Sequence, residues 1–297
     1  MLAPGNPGGL KRRPPAARRY GMRVLPAVVC LPAVLAAQDA REIVRRAVEL
    51  DRKNIQLTIN YAYRQRDEQR ELDGRGKATS VKISVWDVTH PDGTPYRRLV
   101  ARDDQPLSAK EQKEEDERLR KSIEDRRQET PEQRQRRIGE WEARSEKQRE
   151  SLREISDAFD LRLAGEEDLN GGHAYVIDAT PKPGYKPKAS SAFFLARVKA
   201  RFWIDKTDYQ WIKVSVESLG AISFAGFLVR IEPGSVATIE QVRVNDEVWL
   251  PKSIEVKIVA RVALVKVVRL ERVTTYSDYK KFQADSRIVD ISEPRQP

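Results

Sequence analysis

Apolar and polar residues alternate with a period of two along much of the chain, and a helical period replaces that alternation in two places. Over 39–54, Ile43, Ala47 and Leu50 share one helical face, with Asp39 placed as N-cap and Glu42 three residues on. Ile55, Leu57, Ile59, Tyr61 and Tyr63 then alternate with polar neighbours and predict a first strand. Asp73-Gly74 and Gly76 mark a turn, Val81, Ile83 and Val85 resume the alternation, and Pro91-Asp92-Gly93 precedes a short strand over 96–102.

The pattern changes at Pro106. Between Lys110 and Glu154 stand 14 basic and 14 acidic residues, and apolar residues almost disappear. Ser108 with Glu111 makes one capping box, and Thr130-Pro131 with Gln133 makes a second, so two helices broken near 128–130 are expected. Ile138, Trp141, Leu152, Ile155 and Phe159 fall on a heptad seam whose other positions, Ser145 and Gln148, are polar. A solvated hairpin held by i,i+4 ion pairs and a coiled coil for a protein partner both fit helices 108–158.

Strand periodicity returns after Asp160 and continues through segments 161–163, 174–180, 196–205, 211–219, 226–231, 238–245, 254–262 and 264–276. Short turns such as Asn170-Gly171-Gly172, Pro233-Gly234 and Asn245-Asp246 join them, which predicts antiparallel neighbours and some ten or eleven strands in all. The expected fold class is therefore mainly antiparallel β with helices (α+β), carrying an N-terminal helix and a charged helical-hairpin insertion over 106–158.

Three strands carry one apolar and one polar face. Val198, Phe202 and Ile204 oppose Lys199 and Arg201; Ile212, Val214 and Val216 oppose Trp211 and Lys213; Ile254, Val256 and Ile258 oppose Glu255 and Lys257. Those nine apolar residues are the candidate hydrophobic ligand cavity. The helix over 39–54 is too small to cover them all, so either the sheet closes on itself, the insertion helices lie over it, or a ligand fills part of it. Trp203, Trp211 and Trp249 are expected against Lys and Arg stems on the polar faces.

Charge refines the picture. The net charge of +10 falls to +4 once six basic residues within 1–36 are set aside, and that segment has no Asp or Glu. The basic excess therefore belongs to a leader and does not indicate nucleic acid. Arg23 followed by apolar residues from Val24 to Leu35, with small residues up to Ala36 and Ala37, predicts a cleavable signal peptide (core 22–36) and a periplasmic protein. Pro26 and Pro32 argue against a buried helix there. Residues 1–21 read either as an extended n-region from Met1 or as sequence upstream of a start at Met22. The only cysteine, Cys30, lies in this leader, so residues 37–297 form a single cysteine-free domain interrupted by 106–158. No apolar run reaches the roughly 20 residues of a membrane-spanning helix. His90 and His173 have no metal-ligand spacing, and GxSxG, P-loop and GxGxxG motifs are missing. No catalytic residue, metal site or cofactor is expected.

The second half carries a succession of turn-and-strand motifs: Gly165 to Gly172, then Ala174 to Pro181, Phe202-Trp203-Ile204-Asp205-Lys206, Tyr209 to Glu217, and Asn245 to Lys252. It resembles exported bacterial proteins of the LolA/LolB-like superfamily, the outer-membrane lipoprotein-sorting-like proteins. The resemblance implies a LolA-like unclosed β-barrel, or half-barrel, around an apolar cavity lidded by helices. It also implies a non-catalytic carrier or sensor for a lipid or lipoprotein acyl chain. The alternative is an envelope protein-interaction scaffold that uses the helical hairpin and has a filled β core.

Overall fold

The computed structural model describes residues 31–170, 172–224, 228–263 and 265–281. Helix α1 (Leu31–Thr58) leads into β1 (Tyr61–Leu72), β2 (Ala78–Thr89), β3 (Tyr96–Arg102) and the two-residue β4 (Gln105–Pro106). Helices α2 (Ala109–Arg127), α3 (Pro131–Arg153) and α4 (Ile155–Ala158) follow. The remaining strands are β5 (Phe159–Leu169), β6 (Gly172–Pro181), β7 (Val198–Asp205), β8 (Trp211–Ser218), β9 (Ile222–Phe224), β10 (Val229–Ile231), β11 (Val236–Val244), β12 (Val248–Val262) and β13 (Lys266–Lys281). All pair antiparallel in one sheet of order β4-β3-β2-β1-β13-β12-β11-β8-β7-β6-β5, with β10 joined to β12 and to β9. Its end strands β4 and β5 do not pair with each other, so the sheet is unclosed.

The motif residues build the turns. Asp205 is buried, and its Oδ1 accepts from the backbone N–H groups of Thr207 (2.7 Å) and Asp208 (3.1 Å), closing the β7–β8 turn. A Cβ on Gly172 would stand 2.8 Å from Asp205 Oδ2, so glycine is needed where β6 passes this turn. Asn245 and Asp246 both take positive φ (52° and 55°) in the three-residue β11–β12 turn, where Glu247 N–H donates to Val244 O (3.2 Å).

Helix α1 outruns its predicted end at Asn54, so Ile55 and Leu57 are helical and the first strand begins only at Tyr61. The apolar alternation over 55–59 spans barely one helical turn, where periods of two and 3.6 are indistinguishable. The buried Asn54 amide decides the outcome by bridging α1 to β12: Nδ2 donates to Trp249 O (2.8 Å) and Oδ1 accepts from Trp249 N–H (2.8 Å). Most of the predicted leader (1–30) lies outside the described residues. Residues 31–36 are helical and continuous with the rest of α1, so Pro32 does not interrupt the described helix.

The main core forms where α1 lies across β5–β7. Ala40, Ile43, Val44 and Ala47 pack with Ile155, Phe159, Leu161, Ile177, Phe202, Ile204 and Trp211. Asp51, on the same helix, is also buried, and burial raises its pKa above the usual 3.8 despite the nearby Arg149 of α3. A raised folded-state pKa means that Asp51 favours the fold when protonated and opposes it once ionised. Asp51→Asn is expected to raise the melting temperature at pH 7. That gain should vanish below about pH 3.8, where the wild-type side chain is neutral too, and melts at both pH values check it.

Both capping boxes form, and the helices break at 128–130 as their spacing predicts. The helices are tied down along their length. From α2, Asp116 accepts from Arg98 of β3, and Arg126 donates to Pro91 O (2.6 Å). Near its start, α3 places Arg137 Nη1 2.6 Å from Thr94 Oγ1, beside β3. Near its end, Glu150 accepts from Ser191 (3.3 Å), and Leu152 packs on the main core beside Ile155. Helix α3 therefore runs from the β3 side of the open sheet to the β5 side, 23 residues or about 34 Å at 1.5 Å per residue.

Candidate functional site

Cross-strand register determines which predicted cavity residues share a face. Phe202 pairs with Val214 and Ala200 with Val216. Val214 and Val216 pair in turn with Ile239 and Ala237 of β11, and these with Ile254 and Val256 of β12. The result is an aliphatic stripe running unbroken across β7, β8, β11 and β12, with Ile258 one pleat beyond Val256.

The nine residues divide into four environments. Val198, Phe202 and Ile204 are fully enclosed in the core beneath α1. Val214 and Val216 are half-buried at that core's margin. Ile254, Val256 and Ile258 are half-buried and lie outside the packed clusters. Ile212 stands apart: a register shift between Trp203 and Ile204 sets Trp211, not Ile212, opposite Ile204. Trp211 thereby enters the core, its ring edge-on to Phe202 at 5.3 Å, while Ile212 packs with Ala174 and Trp249 in a separate cluster. Of the three tryptophans expected on the polar faces, Trp203 meets a lysine stem, with Lys213 Nζ 5.4 Å from its ring centroid; Trp211 and Trp249 are buried. One bulge exchanges Trp211 and Ile212 and leaves Val214 and Val216 on the predicted face.

Ile239 joins the stripe between Val214 and Ile254 and is the most open of its members. Alternation hid it, because β11 is apolar at Val236, Val242 and Val244 on one parity and at Ala237 and Ile239 on the other.

Beyond β12 the same face turns polar. Val256 pairs with Arg272 and Ile254 with Thr274 of β13. Both partners converge on Asp67 of β1, whose Oδ1 accepts from Thr274 (2.7 Å) and Arg272 (2.9 Å) while Oδ2 accepts from Gln65 and Arg97. Burial works against the Asp67 charge, yet the Thr274 hydroxyl, Arg272 and Gln65 hold its carboxyl below the usual range. The Arg97 guanidinium also covers the Trp86 ring at 4.5 Å. The face thus runs from an aliphatic stripe to a fixed, cation-rich border. A depression of about 360 Å³ lies across β5–β7, at the Ala200 end of the stripe, lined by Leu161, Ala179 and Ala200 with the charged Arg162, Asp178 and Lys199. Among the described residues no group of His, Cys, Asp and Glu is arranged to hold a metal, and no helix is long and apolar enough to cross a membrane.

The architecture is the unclosed antiparallel sheet with helices that the motif resemblance implies. No family model matches the chain, and no curated protein matches it. Among solved structures it is similar to an outer membrane lipoprotein-sorting protein domain from Vibrio parahaemolyticus, at 9% identity and a TM-score of 0.35, covering 82% of this chain and 95% of that one. It is also similar to a LolA superfamily protein from Nitrosomonas europaea, at 11% identity and a TM-score of 0.29, covering 82% and 93%. A third likeness is to the MucA/MucB complex of Pseudomonas aeruginosa, at 11% identity and a TM-score of 0.25, covering 83% and 100%.

Proposed function

We propose that the protein is a non-catalytic periplasmic carrier or sensor that binds the acyl chain of a lipid or lipoprotein along the half-buried stripe of Val214, Val216, Ile239, Ile254, Val256 and Ile258. The observation that supports this reading is the in-register continuity of that stripe outside the enclosed core. Each methylene leaving water contributes roughly 0.8 kcal/mol, so a ~16-carbon chain half-covered on such a stripe gains several kcal/mol without any directional chemistry. Arg272, beside Val256, supplies a cation for an anionic headgroup at the stripe's border.

The protein purified from the envelope is expected to carry acyl lipid at a substantial fraction of one mole per mole, measured by mass spectrometry of an organic extract. Lipid-free protein that also fails to take up a fluorescent fatty acid would sink the proposal. The scaffold reading draws on a different observation: Val198, Phe202 and Ile204 are packed shut, so that part of the expected cavity holds protein alone. It predicts a protein partner captured through α2 and α3 with no lipid bound.

A further inference from the structure

We infer that one end of the sheet is a docking surface for an anionic phospholipid membrane. Phe193, Leu219, Phe224, Leu228, Val265 and Val267 are all substantially exposed, Leu228 at 62% and Val265 at 81%. They belong to different segments that meet at this end. Phe193 packs edge-on against Phe224 at 5.1 Å, and the backbone N–H of Leu219 donates to Arg197 O (2.8 Å). Strand β9 pairs with β10 and β10 with β12, and Ala263 N–H, at the β12–β13 turn, donates to Leu228 O (2.9 Å).

Charge complements this apolar end. Arg197, Arg230, Arg261 and Lys266 stand among its segments, and the acidic counterpart is Glu232, 3.2 Å from Arg261 Nε and 4.0 Å from Arg230 Nε. The opposite end of the sheet is mixed: its turns carry Asp168, Asp205, Asp208, Asp246 and Glu247 with Lys206, Arg243 and Lys281 among them, and of the exposed large hydrophobics it has Leu57 at the α1–β1 turn. Apolar side chains on successive turns, with cations set behind them, match the order of acyl region and phosphate layer in a bilayer surface. An anionic surface would attract this end through its exposed apolar side chains and the cations among them, which fixes the orientation. This inference goes beyond the acyl-binding proposal and does not depend on it.

The test uses the full chain with its single cysteine replaced, Cys30→Ser, and an environment-sensitive fluorophore attached through Leu228→Cys or, in a second protein, through Asp246→Cys. Vesicles of phosphatidylglycerol in phosphatidylcholine should shift the Leu228→Cys label to the blue and leave the Asp246→Cys label unchanged. Pure phosphatidylcholine should give a weak response. The double reversal Arg230→Glu/Lys266→Glu should weaken the titration by at least ~10-fold, and added salt should weaken the wild-type titration in the same direction. No shift at position 228, equal shifts at both positions, or an unchanged titration after charge reversal would each overturn the inference. A shift at position 228 that appears only when envelope proteins are added would assign this end to a protein partner instead.

Discussion

Ile204→Asp is expected to leave no folded protein, whereas Val256→Asp should fold and lose its acyl ligand. The two residues lie on the same sheet, but Ile204 is fully enclosed beneath α1 while Val256 is half-open. A carboxylate at 204 would be desolvated among Phe202, Trp211 and the α1 side chains at a cost of several kcal/mol, comparable with the whole stability of a domain. At 256 it would retain access to water and stand beside its cross-strand partner Arg272, which offsets much of the cost. Thermal melts and extracted-lipid content on both variants measure the contrast. A folded Val256→Asp protein that keeps its full lipid load would remove the stripe from the proposal. Unfolding of Val256→Asp would show that the stripe is filled core.

Glu154→Ala should lower the melting temperature by roughly 10 °C. This carboxylate sits at the junction of α3 and α4, buried, and accepts from the Tyr185 hydroxyl and from the backbone N–H groups of Lys188 (2.9 Å) and Ala189 (2.5 Å). Truncation leaves three donors without their acceptor. They are partly reachable by water, so about 1 kcal/mol for each is the appropriate scale, and about 3 kcal/mol in total gives that shift in a domain of this size. Burial opposes the Glu154 charge, but the Tyr185 and backbone hydrogen bonds outweigh it and hold the pKa below the usual 4.5. A lowered folded-state pKa contributes stability at pH above 4.5, lost as the pH falls through the folded value. The difference between wild type and Glu154→Ala should therefore shrink in acid, opposite in sign to the Asp51→Asn effect. A difference that is constant with pH would mean that the ionised form has no special role.

Much of the architecture was legible because its signals are local. Capping boxes at Ser108 and Thr130 place the helix starts, and Asn245-Asp246 places a turn, since each depends on residues within a few positions. The site was half legible. Alternation assigned Phe202, Val214 and Val256 to a common face, and the register agrees. It could not show the bulge at Trp203–Ile204, because no local residue signal marks that shift, and one extra residue exchanges Trp211 for Ile212. Nor could it separate the enclosed part of the face from the open part. That division depends on where α1 lies, and α1 is held in place by Asn54 reaching a backbone 195 residues away.

Helix α3 has a mechanical consequence. In an open sheet the two end strands are not hydrogen-bonded to each other, so no bond within the sheet joins its edges. Helix α3 links the two sides instead, fastened through Arg137 and Thr94 near its start and through Glu150 and Ser191 near its end. The length of α3 therefore bears on the distance between the two sides of the sheet. Lengthening the helix by one turn would move its two fastenings about 5 Å further apart, so the spacing of the sheet's edges is set in part by a segment that carries almost no apolar residues of its own.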